Sequence, residues 1–589
     1  MTEAQSRAIP PGWRTDLLAA IGVALVALGV AGIGGFADLL RPTDNDSLLR
    51  LVEVRDLIAG QGWFDMMQYR LGPEGGVAMH WSRFVDAPIA ALVLLGQTLG
   101  LSAPAAENVA ATLWPTALLG VSVFLIMRIA RLVDGEGTAF PAAVVGGLAL
   151  MSLAIFLPGM IDHHNVQLML ALLAIWGLIA ATAVTSAVAG AAAALSLAVG
   201  METAPYVAIA GAVAALPLLW NEAAAKDRAA GFGGGFALTA GAAFLATVPW
   251  ASWGVAACDA FSLTHVAVAV PAGLGLVLIG LASPMRPALR VAALGALAAS
   301  VAAIAVLAFP QCLADPYASL DPTLKRLWLD GVVEAQSVID IAWHDPAIFA
   351  ARYVTPALAL IVVAGRAFAG RMTARETILA VFLVGAILVS FWQVRGSLFS
   401  VPIAAIVLSG WIARCRENAK ARPVLAALAW VVSINSVWAA AGGQAERLMQ
   451  VPAQAARAGT GACLRAEDLA PLATLPPQTV LAVSNLGPAI LRYTSHRVLA
   501  GPYHRNVEGN LAVMRTLLAP PAEAEAIARA NHAGIVAFCP GNPETALLAR
   551  EAADGLAAAL SAGDAPDWLR PLTPAGQALQ LYQVDPDGR

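Results

Sequence analysis

Leu157-Pro158-Gly159-Met160-Ile161-Asp162-His163-His164-Asn165-Val166-Gln167 is a polar turn set between two apolar runs, 138–157 and 165–184. Each run approaches the ~20 apolar residues that a helix needs to cross a bilayer core. Ionisable side chains packed between two spans are uncommon and costly, so they draw a functional reading. Asp162 either caps the second helix or, with His164 two residues on, holds a cation; the two uses are compatible.

Working outward from this turn, the apolar pattern recurs along most of the chain. Of 589 residues, 59% are hydrophobic and only 13% charged, against ~25% charged in soluble proteins. That excludes an ordinary soluble enzyme and a disordered chain. Further runs at 16–36, 105–127, 187–200, 203–220, 230–250, 261–282, 287–309, 350–366, 376–393, 396–413 and 423–440 bring the expected spans to about thirteen. The stretch 187–250 is rich in Ala and Gly, which suits close helix packing in lipid. Arg7 and Arg14 precede the first run, which we read as an uncleaved helix rather than a signal peptide. The net charge of −4 gives no basic footprint for a nucleic acid.

With the N-terminus in the cytoplasm, Arg and Lys should gather in every second short loop. Arg128 and Arg131, Lys226 and Arg228, Arg286 and Arg290, Arg366, Arg371 and Arg375, and Arg414, Arg416, Lys420 and Arg422 all fall on that one side. The opposite, external side receives two long loops, 37–104 and 310–349, and everything from 441 onward. The chain is therefore expected to divide into a membrane domain, 1–440, and an external domain, 441–589. In the second part, short β-like runs (479–483, 497–500, 534–538, 578–584) alternate with helical ones (510–518, 522–530, 544–560), the pattern of a small α/β domain. Its Cys463 and Cys539 lie where a disulfide is permitted, whereas Cys415 is expected to be cytoplasmic and free. The five cysteines have no CxxC or zinc-site spacing.

Three more polar clusters fall on the external side. The first loop holds Asp44-Asn45-Asp46-Ser47 ahead of Glu53 and Arg55. Either acid can cap an amphipathic helix lying along the interface, or serve as a ligand for a hard divalent cation. The late loop carries Asp330, Glu334, Gln336 and Asp340; a carboxylate there is a general base, a substrate acceptor or a solvated loop charge. Arg395, in Gln393-Val394-Arg395-Gly396, interrupts spans on the side where the charge rule calls for no arginine. It is either a phosphate clamp or a snorkelling interfacial residue.

Together these clusters resemble the GT-C membrane glycosyltransferases, and within them the catalytic subunit of oligosaccharyltransferase. Asp46 to Gly60 is similar to that family's first external loop, with Asp46 at the metal- and acceptor-contacting acid and Asp44 beside it. Pro158-Gly159-Met160-Ile161-Asp162-His163-His164 resembles its acidic metal motif, with His164 replacing the second acid. Val332-Val333-Glu334-Ala335-Gln336-Ser337 is similar to its late-loop motif in Glu334 and Gln336, though not in the serines and proline, and Arg395 falls where the family sets an arginine against the lipid phosphate. The Trp-Trp-Asp-Tyr-Gly motif that reads a glycosylation sequon is missing: Val483-Ser484-Asn485-Leu486-Gly487-Pro488 stands there, which puts asparagine-linked transfer to protein in doubt.

The resemblance implies a polytopic helical protein of the bacterial inner membrane with a small external α/β domain. Its expected activity is metal-dependent, inverting transfer of a sugar or oligosaccharide from a polyprenyl-phosphate or pyrophosphate donor to an external lipid, polysaccharide or protein. Asp46, Asp162 and His164 would hold Mg2+ or Mn2+, Arg395 the donor phosphate, and Asp46 or Glu334 the acceptor. Asp44, His163, Gln336 and the turn Tyr503-His504-Arg505 would complete the substrate contacts. A transporter or flippase, or a non-catalytic binder of polyprenyl-linked glycans, is the competing expectation.

Overall fold

The computed structural model describes residues 12–34, 44–220, 222, 224–283, 285–314, 317, 320–417, 419–449, 463–574 and 576–585. Arg7, the end of the first expected span and the Arg41-Pro42-Thr43 opening of the first loop lie outside them, as does the stretch 450–462 that joins the membrane and soluble parts.

Each of the thirteen expected spans is occupied by helix. Nine described helices are long and apolar enough to cross a membrane, fewer than the thirteen expected; Pro423–Val432 and Asn435–Leu448, bent by 71°, form either a tenth, broken span or a re-entrant loop. His164–Ala180, Ala183–Val199 and Ala139–Ser152 are shorter. The chain is a multi-pass membrane protein. Its Gly-rich middle packs as the composition suggests: a Cβ at Gly190 would stand 2.1 Å from the carbonyl oxygen of Phe232, and one at Gly235 2.0 Å from that of Ala187. Only glycine lets Ala183–Val199 and Ala225–Thr247 approach so closely.

The arginines of alternate loops meet acids at one end of the bundle. Asp16, fully buried, accepts from Arg128 at 2.8 Å and Arg131 at 2.8 Å. Arg414 reaches Asp134 and Arg366 reaches Glu376, both at 2.5 Å. The connections at the other end carry the polar clusters.

Helix Asn45–Ile58 lacks the wet face of an interfacial amphipath. Asp44 caps it, accepting from the Ser47 N–H at 2.5 Å, and Ser47 through Val54 are buried without a break. Leu51 and Val54 pack into the membrane bundle, while Leu48, Leu49 and Val52 pack into the core of the soluble domain. Apolar residues thus cover more than one face, and the helix becomes the joint between the two parts.

The first loop also forms a hairpin, β1 (Met67–Gln68) with β2 (Val77–Ala78). The soluble domain is a five-stranded sheet made of β3 (Thr479–Leu481), β4 (Arg497–Val498), β5 (Ala533–Phe538), β6 (Leu569–Pro571) and β7 (Gln580–Val584), in the order β4-β3-β5-β7-β6. β3 runs parallel to β4 and β5; β7 is antiparallel to β5 and β6. Leu71 bridges to Val498, with the Gly72 N–H donating to the Val498 carbonyl at 2.8 Å, so the first loop continues the sheet beyond its β4 edge. The expected helix over 544–560 is two, Pro543–Glu551 and Leu556–Ala562, because Gly555 turns between them. Cys463 pairs with Cys539; a second disulfide, Cys258–Cys312, joins two loops at the site end of the bundle, and Cys415 is free.

Candidate functional site

The turn around Asp162 is held from three sides. The Gly159 N–H donates to the Ala111 carbonyl at 2.9 Å, in a backbone conformation with φ of 89° that favours glycine. The Asn165 side chain closes the turn on the carbonyls of Ile155 and Met160. The Ile161 N–H donates to the Ser47 hydroxyl at 3.0 Å, and that hydroxyl donates on to Asp44. The turn and the cap of helix Asn45–Ile58 are therefore one hydrogen-bonded unit, which brings the first two polar clusters together.

Within it, the ligand-competent atoms of Asp162, His163 and His164 lie within 4.8 Å of one another. His163 Nδ1 is 2.5 Å from one Asp162 oxygen, and His164 Nδ1 contacts the other. The far nitrogen of His163, Nε2, is 2.7 Å from Glu202. Burial resists charge on His163, but Asp162 and Glu202 overcome it and push the imidazole up to about 10. His164 Nε2 is buried with no hydrogen-bond partner. A buried imidazole nitrogen left free beside a carboxylate suits a metal ligand.

Asp46 stands outside that set of three but shares its field. Burial and the charges of Asp162, Asp44 and Glu334 hold its carboxyl well above the ordinary range. Asp44 is pushed up to about 6 by burial and Asp162, although it accepts from Ser47. Two buried carboxylates raised in this way gain from a bound cation. The orphaned His164 nitrogen and the raised carboxyls of Asp44 and Asp46 both fit a divalent metal.

Glu334 is exposed on a short turn, Val333–Ala335. The backbone carbonyl of Gln336 accepts from the Val394 N–H at 2.9 Å, which docks the late loop against the turn Val394–Gly396 that carries Arg395. The charged groups beside Arg395 are Glu334 and Glu202, and Tyr317 hydrogen-bonds to it. Tyr503, buried, donates to the Asn45 carbonyl at 3.3 Å and meets Trp81 edge-on at 5.6 Å. His504 and Arg505 instead turn to Asp259, at 2.7 and 2.6 Å. The segment replacing the missing sequon-reading motif packs here too, with Asn45 donating to Asn485 at 3.3 Å.

Sequence reasoning passed over Glu202, Arg50, Asp86, Tyr317 and Asp259. Glu202 had a signal, as a lone acid in the gap between the runs 187–200 and 203–220. Arg50 is fully buried, 2.7 Å from Asp86 and 3.6 Å from Asp162, and lies over Trp81 at 4.3 Å. Its partners are 36 and 112 residues away, so no local pattern marks it.

No protein-family model and no curated protein matches the chain by sequence. Solved structures do match. The archaeal oligosaccharyltransferase AglB from Archaeoglobus fulgidus, in complex with an inhibitory peptide and a dolichol-phosphate, aligns over 96% of this chain and 74% of its own, with a TM-score of 0.63 at 13% identity. The Archaeoglobus fulgidus enzyme in complex with Zn and sulfate gives 0.58 at 14% identity, over 96% and 73%. The form tethered to an acceptor peptide containing the NVT sequon gives 0.60 at 13%, over 98% and 74%. The chain thus has the fold of the Archaeoglobus fulgidus oligosaccharyltransferase, a multi-pass helical bundle with a soluble C-terminal domain.

Proposed function

We propose that the protein is a GT-C-type membrane glycosyltransferase that moves a sugar or oligosaccharide from a polyprenyl-phosphate or pyrophosphate donor to an acceptor on the external face of a bacterial inner membrane. The observation that carries this reading is the convergence, at one end of a bundle with this fold, of Asp44, Asp46, Asp162, His164 and Glu334 beside Arg395. A lipid-borne donor explains why reactive groups gather at the bilayer rim. A transport pathway would instead place them at mid-span.

Asp46, Asp162 and His164 would hold a divalent cation, Mg2+ or Mn2+, with His163 adjoining. Such an ion, when bound, offsets charge on a departing phosphate. Arg395 receives the donor phosphate through its guanidinium fork, oriented by the Tyr317 hydroxyl. Glu334, exposed on its short turn, or Asp46 orients the acceptor nucleophile and takes its proton. Attack from the face opposite the lipid inverts the anomeric carbon. Gln336 positions the late loop through its carbonyl, and Tyr503 anchors the soluble domain over helix Asn45–Ile58.

The acceptor is a lipid, a cell-surface polysaccharide or a protein read without the sequon motif. In this orientation the Arg-rich end and the N-terminus face the cytoplasm and residues from 441 onward form the external domain, with both disulfides outside. Mass spectrometry of lipid-linked sugars in cells with and without the gene tests the reading. Loss of the gene should cause one polyprenyl-linked sugar to accumulate and one envelope glycan to disappear; identical profiles would count against it.

A further inference from the structure

Among the described residues there is one other group of three ligand-competent side chains, and it draws on three distant segments. His80 follows the β1–β2 hairpin, Asp259 lies between helices Ala225–Thr247 and Leu263–Leu281, and His504 belongs to the soluble domain. One ligand atom from each lies within 4.8 Å of the others.

The geometry is that of a site rather than a surface pairing. His504 Nε2 is 2.7 Å from Asp259 Oδ2, and the His80 and His504 rings meet at 4.7 Å between centroids. His80 Nδ1 is buried with no hydrogen-bond partner. Arg505 grips Asp259 from the far side, Nη2 to Oδ1 at 2.7 Å and Nε to Oδ2 at 2.6 Å. Oδ1 can keep that bond while Oδ2 turns to an ion, the outer contact that commonly orients a ligating carboxylate.

We propose that His80, Asp259 and His504 form a second metal site, for a zinc-class divalent ion, that clamps the soluble domain to the first loop and to the loop bearing Asp259. Two imidazoles and one carboxylate select zinc over Mg2+ or Mn2+, which prefer oxygen. A single carboxylate beside Arg505 leaves the fourth position to water or an anion. Because the ligands come from three segments, binding free energy becomes docking free energy. The clamp adjoins the candidate active site through neighbours in sequence: Trp81 follows His80, Tyr503 precedes His504, and Trp81 lies 6.5 Å from His163. The inference does not rest on the glycosyl-transfer reading.

The test is zinc content of the purified full-length protein, stripped with chelator, dialysed against zinc and measured by elemental mass spectrometry. His80→Gln and His504→Gln should each lose one zinc equivalent relative to wild type, and Asp162→Asn should retain that equivalent. Equal zinc in wild type and His80→Gln, or an equivalent lost on Asp162→Asn alone, would overturn the site. His80→Cys, which keeps a ligand, guards against misfolding: loaded with cobalt it should show a thiolate-to-metal charge-transfer band, and a folded variant without the band would also overturn it.

Discussion

His163 Nε2 lies 2.7 Å from Glu202 Oε1, so an acid at the start of the span Met201–Trp220 holds a histidine of the turn Asp162-His163-His164 in place. The contact fixes which way the His163 ring presents Nδ1 to Asp162. Glu202→Ala should therefore weaken metal binding or turnover by about 10- to 100-fold, the usual effect of losing an orienting partner. Metal titration of sugar transfer in the purified variant checks this, and Glu202→Gln, which can still accept a hydrogen bond, should recover part of the loss.

Asp44 offers a pH test. Its carboxyl is raised from 3.8 to about 6 in the folded protein, so the folded state holds the proton more tightly than the unfolded one. The group then favours the fold most below about pH 4, and this advantage is lost as pH rises through about 6. In metal-free protein, Asp44→Asn, which preserves a good N-cap, should be more stable than wild type at pH 7 and equal to it at pH 4. Thermal unfolding of the pair across that range is the measurement.

At the opposite end, Asp16 is buried between Arg128 and Arg131. Removing one member of a buried ion group costs about 3–5 kcal/mol, because the remaining charges stay unpaired. Asp16→Ala should lower the unfolding temperature in detergent, while the folded fraction keeps its metal affinity, since the contact is remote from the acid-histidine turn.

Sidedness is tested by thiol labelling. Lys420 and Asp330, both exposed, lie in connections at opposite ends of the bundle. In intact spheroplasts an impermeant maleimide should label Asp330→Cys and spare Lys420→Cys, with the reverse in inverted vesicles.

Much of this fold is legible in the sequence, because spans and β-runs are local patterns. The thirteen apolar runs carry helices, and the four β-runs of the second part are strands β3, β4, β5 and β7. What the sequence hides is set by distance. Helix Asn45–Ile58 reads as an interfacial amphipath because its second partner, the soluble domain, is more than 400 residues away. β6, Leu569–Pro571, escapes because two of its three residues are polar or proline and it gains its identity only by pairing with β7. Asp46, Asp162, Glu334 and Arg395 stand out because charge is scarce around them. Arg50 and Asp86 are just as deeply engaged, but their meaning appears only when the turn and the cap meet.

The most direct measurement is sugar transfer by the purified protein from a polyprenyl-linked donor extracted from its own cells, with release of the lipid phosphate as the readout. Wild type should turn over in a manner that chelator abolishes, and Asp162→Asn, Asp46→Asn and Arg395→Ala should each slow it by on the order of 100-fold or more. Undiminished transfer by Asp46→Asn and Asp162→Asn, or transfer indifferent to chelator, would contradict this site and its chemistry.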